Sequence, residues 1–233
     1  MSNLEKIKKE LKNLSNPEQA KNSQKFFKTR KGEYGEKDVF LGVKVPIQRW
    51  IITKYKNFQL SEIKELLNSK IHEYRFIALL LLIDKYKKSN NREKKKFFDF
   101  YLRNTKNVNN WDLVDLSAPK IIGDYLLNKP RDILYKLVKS KNLWEKRIAI
   151  IATFIFIKNN DFKDILKISK ILLNDKNDLI HKAIGWMLRE VGKQNQEVEE
   201  KFLNKYHKRM PRIMLRYSIE KFNEEKRKAY LKK

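Results

Sequence analysis

Apolar side chains recur along the chain at the three- and four-residue spacing of amphipathic helices, as Leu4, Ile7, Leu11 and Leu14 do near the start. Glycine is sparse, at six residues, and no convincing alternating run of β-branched residues indicates a strand. The pattern therefore predicts an all-α protein in which short polar connectors separate antiparallel helices. Beyond the first two helices, the predicted helices cover residues 46–56, 61–69, 72–88, 91–103, 110–117, 119–128, 130–139, 142–158, 161–174, 177–193, 196–207, 210–222 and 224–233.

Two prolines and a pair of glycines mark the organisation of the first fifty residues. Pro17 is expected in the first turn of the second helix, and Pro46 in the first turn of the helix that follows a loop. That loop covers residues 29–38 and contains Gly32 and Gly35. No linker or low-complexity tract interrupts the helical pattern after it, so we expect one domain over residues 1–233.

Four of the predicted helices carry a cation or an indole near their start, and these residues recur at a regular interval. The steps from Arg75 to Trp111, Arg147 and Lys182 are 36, 36 and 35 residues. A spacing of this kind between helix pairs is typical of stacked repeats, here slightly shorter than a HEAT unit. The sequence therefore predicts an α-solenoid of HEAT-like repeats whose inner helices line a concave, basic groove.

Residues that share the repeat phase are expected to share one face, and cations, indoles and carboxylates are mixed on it. A carboxylate in a groove that binds phosphates is repelled by its ligand, and catalysis is one reason to keep it there. Trp111 and Asp115 are four residues apart and thus adjacent on one helical face. The candidates on this face are Arg75, Trp111, Asp112, Asp115, Arg147, Lys182, Trp186 and Arg189.

Ordinary structural roles compete for the same residues. An acid in the first turn, such as Asp112, complements the helix dipole without any catalytic role. Trp111 and Trp186 could pack in a core, and Arg75 and Arg147 could tie neighbouring repeats together through carbonyl or carboxylate groups. Asp115 lies deeper in its helix than Asp112 and is the stronger catalytic candidate.

Charge points to a polyanionic partner. The formal net charge is +26 at pH 7 and the isoelectric point is about 10.0. Nucleic acid is the first partner to consider. Because 42 lysines accompany only 12 arginines, the coding bias of an A+T-rich genome explains part of this excess. An arginine at an apolar repeat position is therefore more informative than another surface lysine.

Several classes of protein are disfavoured by composition. The chain has no cysteine, which excludes disulfides, thiolate metal sites and cysteine nucleophiles. Its three histidines, His72, His181 and His207, are isolated from one another, so no metal site is expected. The longest apolar run, Phe76 to Ile83, has eight residues, which is too short to span a bilayer. The first residues carry no apolar signal segment, so we expect a cytoplasmic protein without a membrane partner.

Four motifs in order resemble those of the AlkD-like DNA alkylation repair glycosylases, and the resemblance extends over essentially the whole chain. The motifs are Phe26–Thr29 with Gly32–Gly35 and Phe40–Val43, Asn110–Asp115 with Ala118–Pro119, Trp144–Ala149, and Lys182–Trp186 with Leu188–Glu190. By this resemblance Asp115 is the catalytic carboxylate, and Trp111 and Trp186 are the indoles that pack against the deoxyribose at the lesion. Arg147 would then lie against a nearby phosphate. Phe26 stands where the family usually has a tyrosine.

The resemblance also implies an activity. Enzymes of this family remove N3- and N7-alkylated purines from duplex DNA by hydrolysing the N-glycosidic bond, without metal or cofactor and without extruding the base. A monomer suffices for such a groove. The rival hypotheses are a noncatalytic module that binds duplex DNA, a helical-repeat scaffold for acidic protein segments, and a protein directed to RNA. A plain duplex DNA competitor at physiological salt would separate the scaffold from the DNA-binding hypotheses.

Overall fold

The computed structural model describes residues 1–55 and 57–232. Within these residues no strand forms, and Val39 and Ile71 make an isolated parallel β-bridge. The prediction of an all-α protein is therefore confirmed. The α-helices are α1 Asn3–Asn13, α2 Pro17–Phe26, α3 Val45–Lys54, α4 Leu60–Leu67, α5 His72–Lys88, α6 Asn91–Arg103, α7 Trp111–Ala118, α8 Asp124–Leu126, α9 Asp132–Val138, α10 Leu143–Ala152, α11 Phe154–Lys158, α12 Lys163–Ile171, α13 Asp178–Gln194, α14 Gln196–Tyr206, α15 Arg212–Ser218 and α16 Glu224–Leu231.

Helix starts follow local capping chemistry. Oγ of Ser2 accepts the amide of Glu5 at 3.2 Å while the Glu5 carboxylate accepts the amide of Ser2 at 2.7 Å, which is a capping box. Asparagine side chains accept the first amides of several later helices. Pro17 lies in the first turn of α2 and Pro46 in that of α3, as predicted. The helix predicted over 46–56 ends at Lys54, and residues 56 and 233 lie outside the described part of the chain.

The two helices predicted over 110–117 and 119–128 are joined differently from the prediction. Helix α7 runs directly into a π-helical turn, Pro119–Gly123, which is followed by α8. Proline has no amide hydrogen, so Pro119 cannot donate to the carbonyl of Asp115 four residues earlier. A wider π turn is a common solution to a break of this kind, and such turns are frequent at functional sites.

The helix predicted over 142–158 is also divided. Thr153 separates α10 from α11, and its Oγ1 donates to the carbonyl of Ile150 at 2.6 Å. A threonine hydroxyl that bonds back to the helix in this way often bends it. The predicted helix 210–222 is shorter than expected, because α15 ends at Ser218 and a 3₁₀ turn, Ile219–Lys221, follows.

The chain divides after Ser117 into two compact units. In the first unit, α5 packs against α3, α4 and α6. Every residue from His72 to Ile83 is buried, which fits the unbroken apolar run from Phe76 to Ile83 in α5. That the whole of 1–233 forms a single domain stays a prediction.

In the second unit, α13 is the central helix and packs against α10, α14 and α15. Gly185 allows this packing, because a Cβ atom there would lie 2.5 Å from the carbonyl oxygen of Met214. Helix α15 therefore packs closely against α13 at the residue before Trp186. No helix in the described residues is both long and apolar enough to cross a membrane.

Candidate functional site

Helix α7 begins at a defined residue because Asn110 lies buried beneath its first turn. Oδ1 of Asn110 accepts the amide of Trp111 at 2.8 Å, and Nδ2 donates to Oδ2 of Asp38 at 3.2 Å. Amides at a helix start have no partner within the helix, so a side-chain acceptor stabilises the start at this position. Trp111 and Asp115 therefore lie one turn apart on the same face, as predicted.

An aromatic cluster packs against Trp111. The ring of Phe27 stacks on the indole with centroids 5.4 Å apart, and Phe26 meets the indole edge-on at 5.7 Å. Phe40 stacks on Phe27 with centroids 5.1 Å apart. Trp111 is half-buried, but Phe26 is 65% exposed. The end of α2 is thereby held against α7, with one apolar ring facing outward beside the indole.

Asp115 is partly exposed, and its charge affects the buried hydroxyl of Tyr101 in α6. Burial raises the pKa of Tyr101, and the negative charge of Asp115 raises it further. The hydrogen bond with Ser117 lowers this pKa but does not outweigh the other two effects. The Tyr101 hydroxyl lies 2.9 Å from Oγ of Ser117. The phenol therefore stays protonated and leaves Asp115 as the acidic group of this face.

Asp112 has a stronger structural role than the expected first-turn acid. Its Oδ2 lies 2.8 Å from Nε2 of His72, and its Oδ1 accepts the amide of Leu113 at 2.8 Å. The side chain is only 15% exposed. The two acids of α7 are therefore in different environments: Asp112 ties α7 to α5, and Asp115 remains partly open to solvent.

Arg75 lies inside the first unit rather than on its surface. It is 3% exposed, and its guanidinium lies 2.7 Å from Oδ1 of Asp38 and donates to the carbonyl of Ser69 at 2.9 Å. Burial raises the pKa of Asp38, but the hydrogen bond with His72 and the charge of Arg75 outweigh it and hold that pKa below its usual value. Arg75 thus ties α5 to the predicted loop 29–38, which corrects its placement among the exposed groove residues.

In the second unit, Trp186 is oriented by a buried carboxylate. Its Nε1 donates to Oε1 of Glu190 at 3.3 Å. Two ammonium groups bind the same carboxylate, Lys193 at 2.6 Å and Lys158 at 3.5 Å. Burial raises the pKa of Glu190, but Lys193, Lys158 and the indole outweigh it and lower that pKa. The result is a fixed negative charge that holds one indole and two cations together.

The remaining predicted cations differ in their accessibility. Arg147 is 5% exposed and donates to the carbonyl of Leu179 at 2.6 Å, so it joins α10 to the start of α13. Arg189 is partly buried and pairs with Glu220. Lys182 is partly exposed. The shared repeat phase placed Arg147 and Lys182 near helix starts, but it did not distinguish cations that are buried between helices from cations on the surface.

Some residues of the two sites were not found from the sequence. Lys193 lies seven residues after Trp186, which is a helical spacing that would have placed both on one face. Lys158 lies in another helix, and no sequence pattern links it to Trp186. The bonds of His72 to Asp38 and Asp112 join residues 34 and 40 positions apart, and no local pattern reveals them.

Metal-ligating side chains are not clustered in the part of the chain that the structure describes. No group of three or more His, Asp or Glu residues is placed there to hold a metal ion.

Comparisons with known proteins place the fold and the family. The model of a family described as "DNA alkylation repair enzyme" matches residues 7–222. A solved structure described as "Predicted DNA alkylation repair enzyme from Enterococcus faecalis" is similar with a TM-score of 0.70 and 19% identity, over 90% of this chain and 97% of that one. None of the curated proteins compared with the chain matches it.

At 19% identity the solved structure establishes the fold alone, and it confirms the prediction of an all-α helical-repeat solenoid. Whether basic residues line a concave groove stays a prediction. The family match covers nearly the whole length and includes the four motifs read from the sequence. The chain therefore belongs to the family of DNA alkylation repair enzymes.

Proposed function

We propose that the protein is a DNA glycosylase that hydrolyses the N-glycosidic bond of N3- and N7-alkylated purines in duplex DNA. Membership of the family supports a role in alkylation repair. The observation that carries the finer proposal is the pair of Trp111 and Asp115 on one face of α7, both partly exposed, in a chain of net charge +26. A carboxylate beside a bound polyanion weakens binding, so it is expected there only when the chemistry requires it.

The reaction needs few protein groups. Alkylation at N3 or N7 gives the purine a positive charge, so the base leaves as a neutral molecule with the electron pair of the C1′–N bond. The sugar then becomes an oxocarbenium-like cation, which the Asp115 carboxylate stabilises electrostatically. Water attacks C1′, and Asp115 orients it and accepts its proton. No general acid is required at the base, which makes the enzyme selective for cationic lesions.

The two indoles position the substrate. We assign Trp111 and Trp186 to the deoxyribose backbone at the lesion, with the exposed ring of Phe26 beside Trp111. Contacts of this kind leave the alkylated base stacked in the duplex and tolerate bulky adducts. Lys182 and Arg189 are the predicted cations whose exposure best fits a contact with a backbone phosphate. The proposed partner is thus alkylated duplex DNA bound by a monomer, with no metal or cofactor in the reaction.

Release of the modified base from methylated duplex DNA, in the presence of a chelator, tests the proposal. The wild type is expected to release free base, and Asp115→Asn is expected to lose most excision while it binds duplex DNA as tightly or more tightly. Asp84→Asn is the matched control, because Asp84 is an exposed acid of α5 paired with Lys88 at 2.6 Å. Equal excision by wild type and Asp115→Asn would remove Asp115 from the chemistry.

Phe26 favours a second candidate, a noncatalytic relative that binds duplex DNA. Its exposed ring lacks the hydroxyl that the family usually has at that place. In that case neither wild type nor Asp115→Asn would release base, although both would bind duplex DNA. Phe26→Tyr extends the comparison, because a gain of excision by this variant would identify the missing hydroxyl as the cause.

A further inference from the structure

The imidazole of His72 lies between aromatic rings and carboxylates. The rings of Phe27 and Phe40 pack against it, with centroids at 4.9 and 4.7 Å. Its Nδ1 lies 3.1 Å from Oδ2 of Asp38, and its Nε2 lies 2.8 Å from Oδ2 of Asp112. The side chain is buried, and no step of the proposed reaction uses it.

Two carboxylates at the two ring nitrogens define the protonation state of His72. A neutral imidazole has one N–H group, so one carboxylate would face the lone pair of the other nitrogen. An imidazolium donates to both carboxylates at once. With Arg75 bound to Asp38 at 2.7 Å, the cluster then holds two cations and two anions and has no net charge. A neutral ring would leave one buried negative charge uncompensated, which is unfavourable.

We propose that the charged imidazolium of His72 is a positioning group that fixes the first turn of α7, and with it Trp111 and Asp115, against the chain from α2 to Phe40. The link is short, because Asp112 follows Trp111 directly and Phe27 touches both the indole and the imidazole. The role assigned to Asp115 rests on the proposed function. The charged state of His72 rests on the geometry of the first unit alone.

Loss of the His72 proton is the event that would release α7. The charged groups that face the ring are Asp38 from the loop, Asp112 from α7 and Arg75 from α5, whose guanidinium lies 3.4 Å from Nδ1. Burial lowers the pKa of His72, but Asp112 and Asp38 outweigh it and raise that pKa to about 9. Above that pH, Asp112 or Asp38 loses the hydrogen bond that His72 donates, and the first turn of α7 is no longer joined through the imidazole to both carboxylates.

A titration of the wild-type protein by ¹⁵N NMR tests the charged state without DNA. The chain has only three histidines, and His181→Asn and His207→Asn assign their signals by elimination. At pH 7.5 we expect both ring nitrogens of His72 to carry protons, with a transition near pH 9. The indole N–H signal of Trp111 is expected to move with the same midpoint, and that of Trp186 is not. A singly protonated His72 ring at pH 7.5, or a Trp111 signal unaffected by the transition, would overturn the proposal.

The pH profile of base release tests the effect on the reaction. Asp112→Asn removes one carboxylate, so we expect its loss of excision at high pH to begin about one pH unit lower than in the wild type. Asp84→Asn should keep the wild-type profile, and changes in the substrate itself are common to all three proteins. Identical profiles for wild type and Asp112→Asn would refute the positioning role.

The NMR titration and the pH profile of base release separate the proposal for His72 from the glycosylase proposal. If no protein releases base, the glycosylase proposal fails, and the NMR titration still decides whether His72 is charged and coupled to Trp111. Should Asp112→Asn fail to fold, the coupled transition of His72 and Trp111 in the wild type carries the test.

Discussion

Trp111 and Trp186 are both half-buried indoles, yet the two units hold them by different means. Trp111 is held by aromatic rings and by a buried, electrically neutral cluster that contains His72. Trp186 is held by one carboxylate, Glu190, which also binds two partly exposed lysines. The first arrangement supports the indole by aromatic packing and by buried charges that compensate one another, and the second presents positive charge around the indole.

The difference indicates that the regions around Trp111 and Trp186 have different roles. Around Trp111, the buried charges of the His72 cluster cancel, so the cluster carries no net charge. Around Trp186, two lysines share one carboxylate and leave an excess of positive charge, which suits a backbone phosphate. We therefore expect changes near Trp111 to affect stability and chemistry, and changes near Trp186 to affect chiefly the binding of DNA.

Asp38→Asn is expected to have the largest effect on stability. It leaves the buried charges of Arg75 and His72 with one carboxylate between them, and breaking a buried pair in this way costs about 3–5 kcal/mol. Urea denaturation gives the change in free energy of unfolding. Asp84→Asn, in an exposed pair, should change it by no more than about 1 kcal/mol. Equal effects of the two substitutions would contradict a buried cluster.

The stability of the first unit is expected to fall at alkaline pH. The pKa of His72 in the folded state is raised from 6.5 to about 9, so its contribution is complete below 6.5 and is lost as pH rises towards 9. The change corresponds to about 3 kcal/mol. Denaturation curves at pH 6, 7.5 and 9 measure this loss, and Asp112→Asn should reduce it. A free energy of unfolding independent of pH in this range would exclude a charged His72.

Glu190→Gln is expected to have an intermediate effect. Glutamine can still accept the indole N–H of Trp186, but it no longer attracts Lys158 and Lys193, so we expect a loss of about 1–2 kcal/mol at pH 7. The pKa of Glu190 is lowered in the folded state, so this contribution is present above its ordinary pKa and is lost as pH falls through the lowered one. Wild type and Glu190→Gln should therefore converge in stability in acid. A constant difference at all pH values would assign the loss to packing.

The smallest effects are expected from single surface lysines. Lys158→Ala and Lys193→Ala should each reduce the slope of log affinity for duplex DNA against log salt by about 0.9. Lys170→Ala, at an exposed position on α12, is the control and should leave the slope unchanged. Arg147→Ala should also leave it unchanged and lower stability instead, because its guanidinium binds the Leu179 carbonyl. A slope reduced by Arg147→Ala alone would reverse this assignment.

Helix positions were predictable from the sequence because they depend on neighbouring residues. The side chains of Ser2, Asn16 and Asn90 accept the first amides of their own helices, and apolar spacing indicates the buried faces. The interruption at Pro119 was signalled by the residue itself, but the choice of a π turn was not. Such a turn depends on how the following residues pack.

The distinction between Asp112 and Asp115 could not be predicted in full. Their positions in α7 favoured Asp115, but the reason that Asp112 is engaged lies at His72, 40 residues earlier. The same holds for Arg75 and Arg147, which share a repeat phase with exposed residues and are nonetheless internal. Burial of this kind depends on contacts between distant segments, which one sequence does not display.

The π turn after α7 shows how a proline is accommodated within a helical stretch. The turn contains one residue more than an α-helical turn. A residue with an amide hydrogen at position 119 could donate to the carbonyl of Asp115, so replacement of Pro119 together with removal of one residue from 119–123 is expected to favour an ordinary α-helical turn. The extra residue therefore compensates locally for the amide hydrogen that Pro119 lacks.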